Sequence, residues 1–310
     1  MKTPNRMLAG ALLAAVAVAA VAQEPGGTLA KAKTAGTLVM GVREASPPLS
    51  YAVGGGYVGY HVELCEQMLA KLLPGVAVRP MVVTSQNRVP LLQNGTVDIE
   101  CGSTTNNAAR QQQVAFGSTT YITEARFAVR AASGIESAEQ LKGKTVVTTV
   151  GTTLVQRLRR LEQDNKGMAL NIVLAKDHAE SFLLLESGRA DAFAMDDNTL
   201  AGNISNARNP GDFRIVGKPL GIEPIAIMIR KDDPAFKRAI DGYLASAMAS
   251  GALEKLYARW FMAPIPPRNA VINIPLSDSL KAAFQSPNDR PAEAYDCLLY
   301  TSDAADEGLG

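Results

Sequence analysis

Apolar and polar positions divide the chain into zones of different character. Residues 7–21 are almost purely Ala, Val and Leu, with Lys2 and Arg6 ahead of them. The run closes on Ala20-Val21-Ala22 and gives way to Gln23, Pro25, Gly26 and Gly27. A basic start, an apolar centre and a small-x-small site in that order predict a secretory signal peptide over residues 1–22. The run is shorter than the ~20 residues of a spanning helix, and no Cys follows the site to carry a lipid. The mature chain is therefore expected to be soluble and periplasmic.

Beyond residue 36 the pattern changes to short apolar runs alternating with amphipathic stretches. Strands are predicted over residues 37–42, 76–83 and 97–99, with helices over 60–73 and 89–93 between them. The order then recurs, with strands over 145–149, 172–174 and 192–195 and helices over 153–162 and 181–187. Alternating β and α elements predict mostly parallel sheets with helices on both faces. Two such series predict two α/β lobes. Phe236, Ile240, Leu244 and Met248 recur at helical spacing in a segment expected to return to the first lobe. The expected division is residues 28–120 plus 229–290 for the first lobe and 125–222 for the second, with two crossings between them. Leu91-Leu92-Gln93-Asn94-Gly95 and Leu184-Leu185-Glu186-Ser187-Gly188 read alike, each as a helix stopped by a left-handed Gly.

Composition narrows the function. A 310-residue chain has room for about two domains, and 47% hydrophobic residues support a sizeable core. A formal net charge of +1 speaks against nucleic acid as a partner. Cys65, Cys101 and Cys297 are too few and too irregular for a disulfide framework, and two His leave no metal cluster. No cofactor is expected. Gly54, Gly56 and Gly59 fit G-x-G-x-x-G formally, but no acid follows at the spacing a dinucleotide needs, so they read as a hairpin turn. No nucleophile elbow accompanies His178 and Asp196, so the chain is not expected to be an enzyme.

The informative residues lie at the ends of predicted strands, where open α/β sheets bind ligands. Thr84-Ser85-Gln86-Asn87-Arg88, then Cys101 to Asn107 with Arg110 a turn later, follow two strands. Thr149-Val150-Gly151-Thr152-Thr153, Asp177-His178 and Asp196-Asp197 follow three more. Taken singly, each Ser or Thr is a helix cap and each Arg a solvated cation. Together they bring hydroxyls, helix-start N–H groups, several cations and one carboxylate to one cleft, which suits a zwitterion with an additional negative charge.

These blocks resemble the polar amino-acid-binding proteins of bacterial ABC importers, the solute-binding protein family 3, and most closely its glutamate/aspartate-binding members. The similarity runs over residues 36–288. It is carried by Gly41-Val42-Arg43-Glu44, by the stretches quoted above, and by Arg230-Lys231-Asp232-Asp233-Pro234 and Trp260-Phe261 with Pro264-Ile265-Pro266-Pro267. The resemblance implies a type II periplasmic binding protein whose two lobes hinge shut on the ligand. It implies that Arg110, with backbone N–H groups of Thr105 and Thr152, clamps the α-carboxylate. Asp196, the Thr105 hydroxyl and the Ser103 carbonyl would hold the α-ammonium, and Arg43, Ser85, Arg88 and His178 the side-chain carboxylate. It further implies a monomer that delivers glutamate or aspartate to an inner-membrane ABC permease with its ATPase subunits. A receptor presenting the same ligand to a sensor or chemotaxis protein, and an enzyme on the same lobes, are the competing readings.

The chain departs from the family in three places. The Cys that pairs with the equivalent of Cys101 is missing, since residues 225–229 read Ile-Ala-Ile-Met-Ile, so Cys101 is expected as a buried free thiol. His61 stands where an acid is common and is expected at the surface. Val42 replaces a polar residue before Arg43. Residues 296–310 resemble a translated sequencing adapter and are expected to be a non-native tail.

Overall fold

The computed structural model describes residues 27–295; the proposed signal peptide and the anomalous tail lie outside them. In chain order come α1 (Thr28–Ala35), β1 (Thr37–Val42), β2 (Ala45–Ser46), β3 (Ser50–Val53), β4 (Gly56–Val58) and α2 (Tyr60–Leu72). β5 (Ala77–Val82), α3 (Arg88–Gln93), β6 (Ile99–Glu100), α4 (Ala108–Gln111), β7 (Val114–Phe116) and β8 (Tyr121–Arg130) follow. Next are β9 (Thr145–Thr149), α5 (Leu154–Asp164), β10 (Asn171–Ala175), α6 (His178–Glu186), β11 (Ala192–Asp196) and α7 (Asp197–Ser205). The remainder is β12 (Phe213–Val216), β13 (Ile222–Ile225), β14 (Met228–Arg230), α8 (Pro234–Ala249), α9 (Ala252–Phe261) and α10 (Asp278–Gln285).

Two open sheets organise these elements. The first has the order β5-β1-β6-β14-β7, parallel from β5 to β6 and antiparallel where β14 returns. The second runs β10-β9-β11-β8-β12, parallel from β10 to β11 and antiparallel around β8. β1 and β11 are nearly continuous apolar runs, as strands covered on both faces tend to be. Residues 54–55 form the turn of the β3–β4 hairpin, so the glycine-rich stretch is a hairpin. Gly95 and Gly188 follow helix ends with φ of 77° and 76°, the left-handed stop that the near-repeat predicts.

Each sheet has its own core. Leu38, Met40, Leu64, Met68, Phe236, Ile240 and Leu244 belong to one buried cluster. Phe127, Val147, Leu158, Leu185 and Phe193 belong to another. Along α8 the apolar stripe Phe236, Ile240, Leu244, Met248 is buried throughout, each side chain stabilising the fold by roughly 1.5–3 kcal/mol.

The chain passes between the sheets twice, as β8 and β13, and these paired antiparallel strands form one ribbon. Tyr121 faces Ile225 and Glu124 faces Ile222 in its register. Among the described residues no helix is long and apolar enough to cross a membrane.

Two expectations fail in the first unit. Cys101 is not a free thiol: Cys65 and Cys101 form a disulfide with Cα atoms 6.4 Å apart. Cys65 lies on the buried face of α2, which packs beside the end of β6, so a helix supplies the partner and the lost strand cysteine is irrelevant. His61 is not at the surface but fully buried. It sits one helical turn before Cys65 on the same face, which directs both side chains at the Cys101-Gly102 turn.

Candidate functional site

Arg43 follows directly on β1, and its backbone N–H donates to Ser50 Oγ at 2.9 Å. Ser85 and Arg88 come from the β5–α3 turn, where Thr84 N–H donates to Asn87 Oδ1 and Asn87 N–H to Thr84 Oγ1. Ser103 and Thr105 follow β6. Arg110 is set by α4, whose cap Asn107 accepts its N–H at 2.8 Å. From the second unit, Thr152 leads into α5, His178 opens α6 behind its cap Asp177, and Asp196 ends β11.

Five of these residues are joined by direct contacts. Arg43 donates from Nη1 to Ser103 Oγ at 3.1 Å and from Nη2 to Ser85 Oγ at 2.8 Å. Its Nη2 also lies 3.5 Å from His178 Nε2, across the cleft. Arg88 Nη1 donates to the Ser103 carbonyl at 3.2 Å. Since a guanidinium can only donate, His178 Nε2 is the acceptor and Nδ1 carries the proton. That Nδ1–H then donates to Thr149 Oγ1 at 2.7 Å, which bonds Ser181 Oγ at 2.8 Å, and Ser181 donates to the Asp177 carbonyl. The ring is fixed by a chain of hydroxyls.

Arg110 stands apart from this network. It donates to the Thr105 carbonyl at 2.9 Å and, across the cleft, to the Gly151 carbonyl at 3.2 Å. Thr152 directs its hydroxyl to the Thr149 carbonyl at 2.7 Å, and its N–H lies 3.3 Å from the same oxygen. Thr105 forms a β-bridge with Ile225 of the ribbon. The Ser103 carbonyl, which the resemblance implies for an ammonium, accepts from Arg88 here.

Burial dominates the electrostatics. Desolvation lowers the pKa of Arg43, Arg88 and Arg110, and each guanidinium faces others of like charge or the carboxylates of Glu100 and Asp196. Burial and the two guanidiniums Arg43 and Arg88 push His178 well below its usual value, so the ring is neutral. Burial, then Glu223 and Asp197, raises the Asp196 carboxyl. Arg88 Nε, Glu100 Oε1, Asp196 Oδ1 and Glu223 Oε2 are buried without a hydrogen-bond partner. Buried groups of both signs with unused bonding capacity suit a ligand that itself carries both charges.

The two units approach closely at the rim. Gly151, at φ +79°, would place a Cβ 2.7 Å from the Gln86 backbone, and Gly202 on α7 one 2.5 Å from the Pro47 carbonyl. Neither contact admits a side chain. Surface cavities of about 380 and 360 Å³ lie elsewhere, around Lys237 and Arg208, and contain none of the residues above. Among the described residues no group of three His, Cys, Asp or Glu could hold a metal ion.

Sequence reasoning misses Glu100 and Glu223, both buried acids whose charge reaches the arginines. Glu100 lies between apolar Ile99 and Cys101 and Glu223 in a strand of apolar neighbours, so no local pattern marks either as facing the cleft.

Comparison with known proteins points the same way. Residues 38–263 match the model of the bacterial extracellular solute-binding proteins, family 3. An L-glutamate/L-aspartate-binding protein of Pseudomonas aeruginosa is 44% identical over 94% of this chain and 99% of its own length. A glutamate/aspartate import solute-binding protein of Escherichia coli is 45% identical over 93% of this chain and 98% of its own. Among solved structures, a mutant arginine-binding protein of T. maritima superposes with a TM-score of 0.68 at 27% identity, over 75% of this chain and 98% of that one.

Proposed function

Because the chain belongs to the bacterial extracellular solute-binding proteins, family 3, we propose that it captures glutamate or aspartate between two lobes and delivers it to an ABC permease. The observation that carries this reading is the meeting of two buried guanidiniums at one residue of the cleft. Arg43 and Arg88 meet at Ser103, with neutral His178 opposite, while Arg110 bonds instead to the Thr105 and Gly151 carbonyls and Asp196 keeps a buried oxygen without a partner. The first group suits a side-chain carboxylate, because guanidinium N–H groups match its oxygens. Arg110 suits the α-carboxylate and Asp196 the α-ammonium, with Ser85, Ser103, Thr105 and Thr152 completing the walls. An ammonium beside Asp196 would offset the burial and the neighbouring acids that raise its pKa.

The lobes we assign are residues 28–120 with 229–290 and residues 125–222, and the β8–β13 ribbon is the hinge. Gly151 already meets Arg110 and His178 meets Arg43 across the cleft, so in the closing motion ligand contacts would come from both sides. The residues 1–22 direct export to the periplasm. The relatives are binding proteins, and the chain works as one, without turning its ligand over.

A thermal-shift comparison of the amino acids tests the reading. Glutamate or aspartate at a hundred times its Kd should add ~2.7 kcal/mol to stability. Equal stabilisation by glutamine, or none by either acid, would overturn the ligand assignment.

A further inference from the structure

The Glu100 carboxylate lies under the arginine end of the cleft without pairing with any arginine. It is fully buried, and its Oε2 accepts from Thr104 Oγ1 at 2.7 Å. Its Oε1 has no hydrogen-bond partner. A Cβ built on Gly102 would fall 2.1 Å from that Oε1 and 2.8 Å from Arg43 Cγ, so the carboxylate and the Arg43 stem crowd the same point. The absence of a side chain at Gly102 is what lets them do so. An acid placed solely for stability would be expected to close an ion pair, since an unpaired buried charge is costly. Glu100 instead acts on Arg43, Arg88 and Arg110 through space.

We propose that Glu100 sets the ligand charge that the cleft prefers, holding the side-chain end at the charge one carboxylate neutralises. Two guanidiniums, one carboxylate and a neutral imidazole leave one net positive charge there, and Arg110 with Asp196 balances a zwitterionic α-centre. Asp177, which acts less on Arg43 than Glu100 does, has its Oδ1 occupied by the Glu180 N–H. Without Glu100 the two positive charges would be opposed only by the weaker influence of Asp177 and Asp196, and the optimum would move toward a doubly charged side chain. The proposal rests on the assignment of Arg43 and Arg88 to the ligand side chain.

Calorimetric titration of wild type and Glu100→Gln with glutamine, glutamate and the ω-phosphonate analogue of glutamate, at about pH 8, tests it. These probes carry side-chain charges of zero, one and two on similar skeletons. In the variant each step of negative charge should gain about tenfold in relative affinity over wild type, the size expected for one carboxylate acting a few ångströms away. Equal changes for all three ligands, or a ladder of opposite slope, would overturn the proposal. Glu100→Asp, which keeps the charge, should leave the ladder as in wild type. If Glu100→Gln does not fold, Glu100→Met carries the same test. Failure of both to fold beside a folded Glu100→Asp would assign the carboxylate to stability and overturn the specificity role. A wild type that binds no glutamate would instead refute the underlying function, and the inference with it.

Discussion

The two walls of the cleft are built on opposite plans. The first unit contributes three guanidiniums, and two bonds from one helix brace the turn leading to Ser103. The Cys65–Cys101 disulfide is one and the hydrogen bond from His61 Nδ1 to the Gly102 carbonyl, at 2.5 Å, is the other. The second unit contributes Asp196 and a neutral imidazole, the latter oriented by hydroxyls behind a helix cap, without a covalent brace among the described residues. Like charges held together in a buried site repel one another, so the wall that concentrates them needs the firmer support. The wall that supplies dipoles and a single countercharge can be held by hydrogen bonds alone. Under the ligand assignment proposed above, the division of labour would be charge selection on one side and completion of the site on the other.

The strongest way to break this comparison is to remove charge selection from the first wall. Arg88→Met should weaken glutamate and aspartate on the order of a thousandfold, as when a buried ion pair loses one partner, and weaken glutamine far less. Calorimetry with both ligands reads the narrowing; an unchanged acid-to-amide ratio would remove Arg88 from the side-chain site. On the opposite wall, Asp196→Asn should lower affinity for every amino acid alike, by about 2–5 kcal/mol. A loss confined to the acidic ligands would reverse the roles given to the two walls.

The brace is tested next. Replacing Cys65 and Cys101 by Ala opens a loop with a sequence separation of 36 and should cost about 2–4 kcal/mol in urea unfolding. Closely similar unfolding of the variant and wild type would show that the covalent link does not support the first wall.

The smallest effect is a pH dependence. Burial pushes His61 down to about 4, against an upward pull from its bond to the Gly102 carbonyl. Its folded-state value lies below its unfolded one, so the unfolded chain binds the additional proton. Its stabilising contribution is therefore complete above pH 6.5 and is lost as the pH falls toward 4, by about 2 kcal/mol between pH 6.5 and 5. His178 is depressed in the same direction and adds to the slope. His61→Gln should flatten the dependence measured by urea unfolding across that window, and an unchanged slope would assign it to His178.

Much of the first wall is legible in the sequence because its parts are local. β1 falls where its apolar run places it, and Arg43, Arg88 and Arg110 stand in polar stretches that follow strands. The brace is not legible. Whether Cys65 meets Cys101 depends on how α2 rotates against β6, and a period of apolar residues states only which face is inward. Treating His61 as a surface residue fails for the same reason: Gly102 and Thr120, its two partners, are 41 and 59 residues away. β8 and β13 escape as well, since an antiparallel ribbon of segments so distant in sequence leaves no periodic signature in either alone.

Gly202, pressed against Pro47 across the rim, offers control of a different quantity. Its backbone is helical, so alanine there would favour α7 slightly when the lobes stand apart. Under the closing motion proposed above, the added methyl would act only as a spacer at the rim, opposing closure over any ligand equally. Recognition and responsiveness are thus separable in this molecule. One methyl group, on a residue to which no ligand contact is assigned, would set the concentration at which the receptor responds without changing what it prefers.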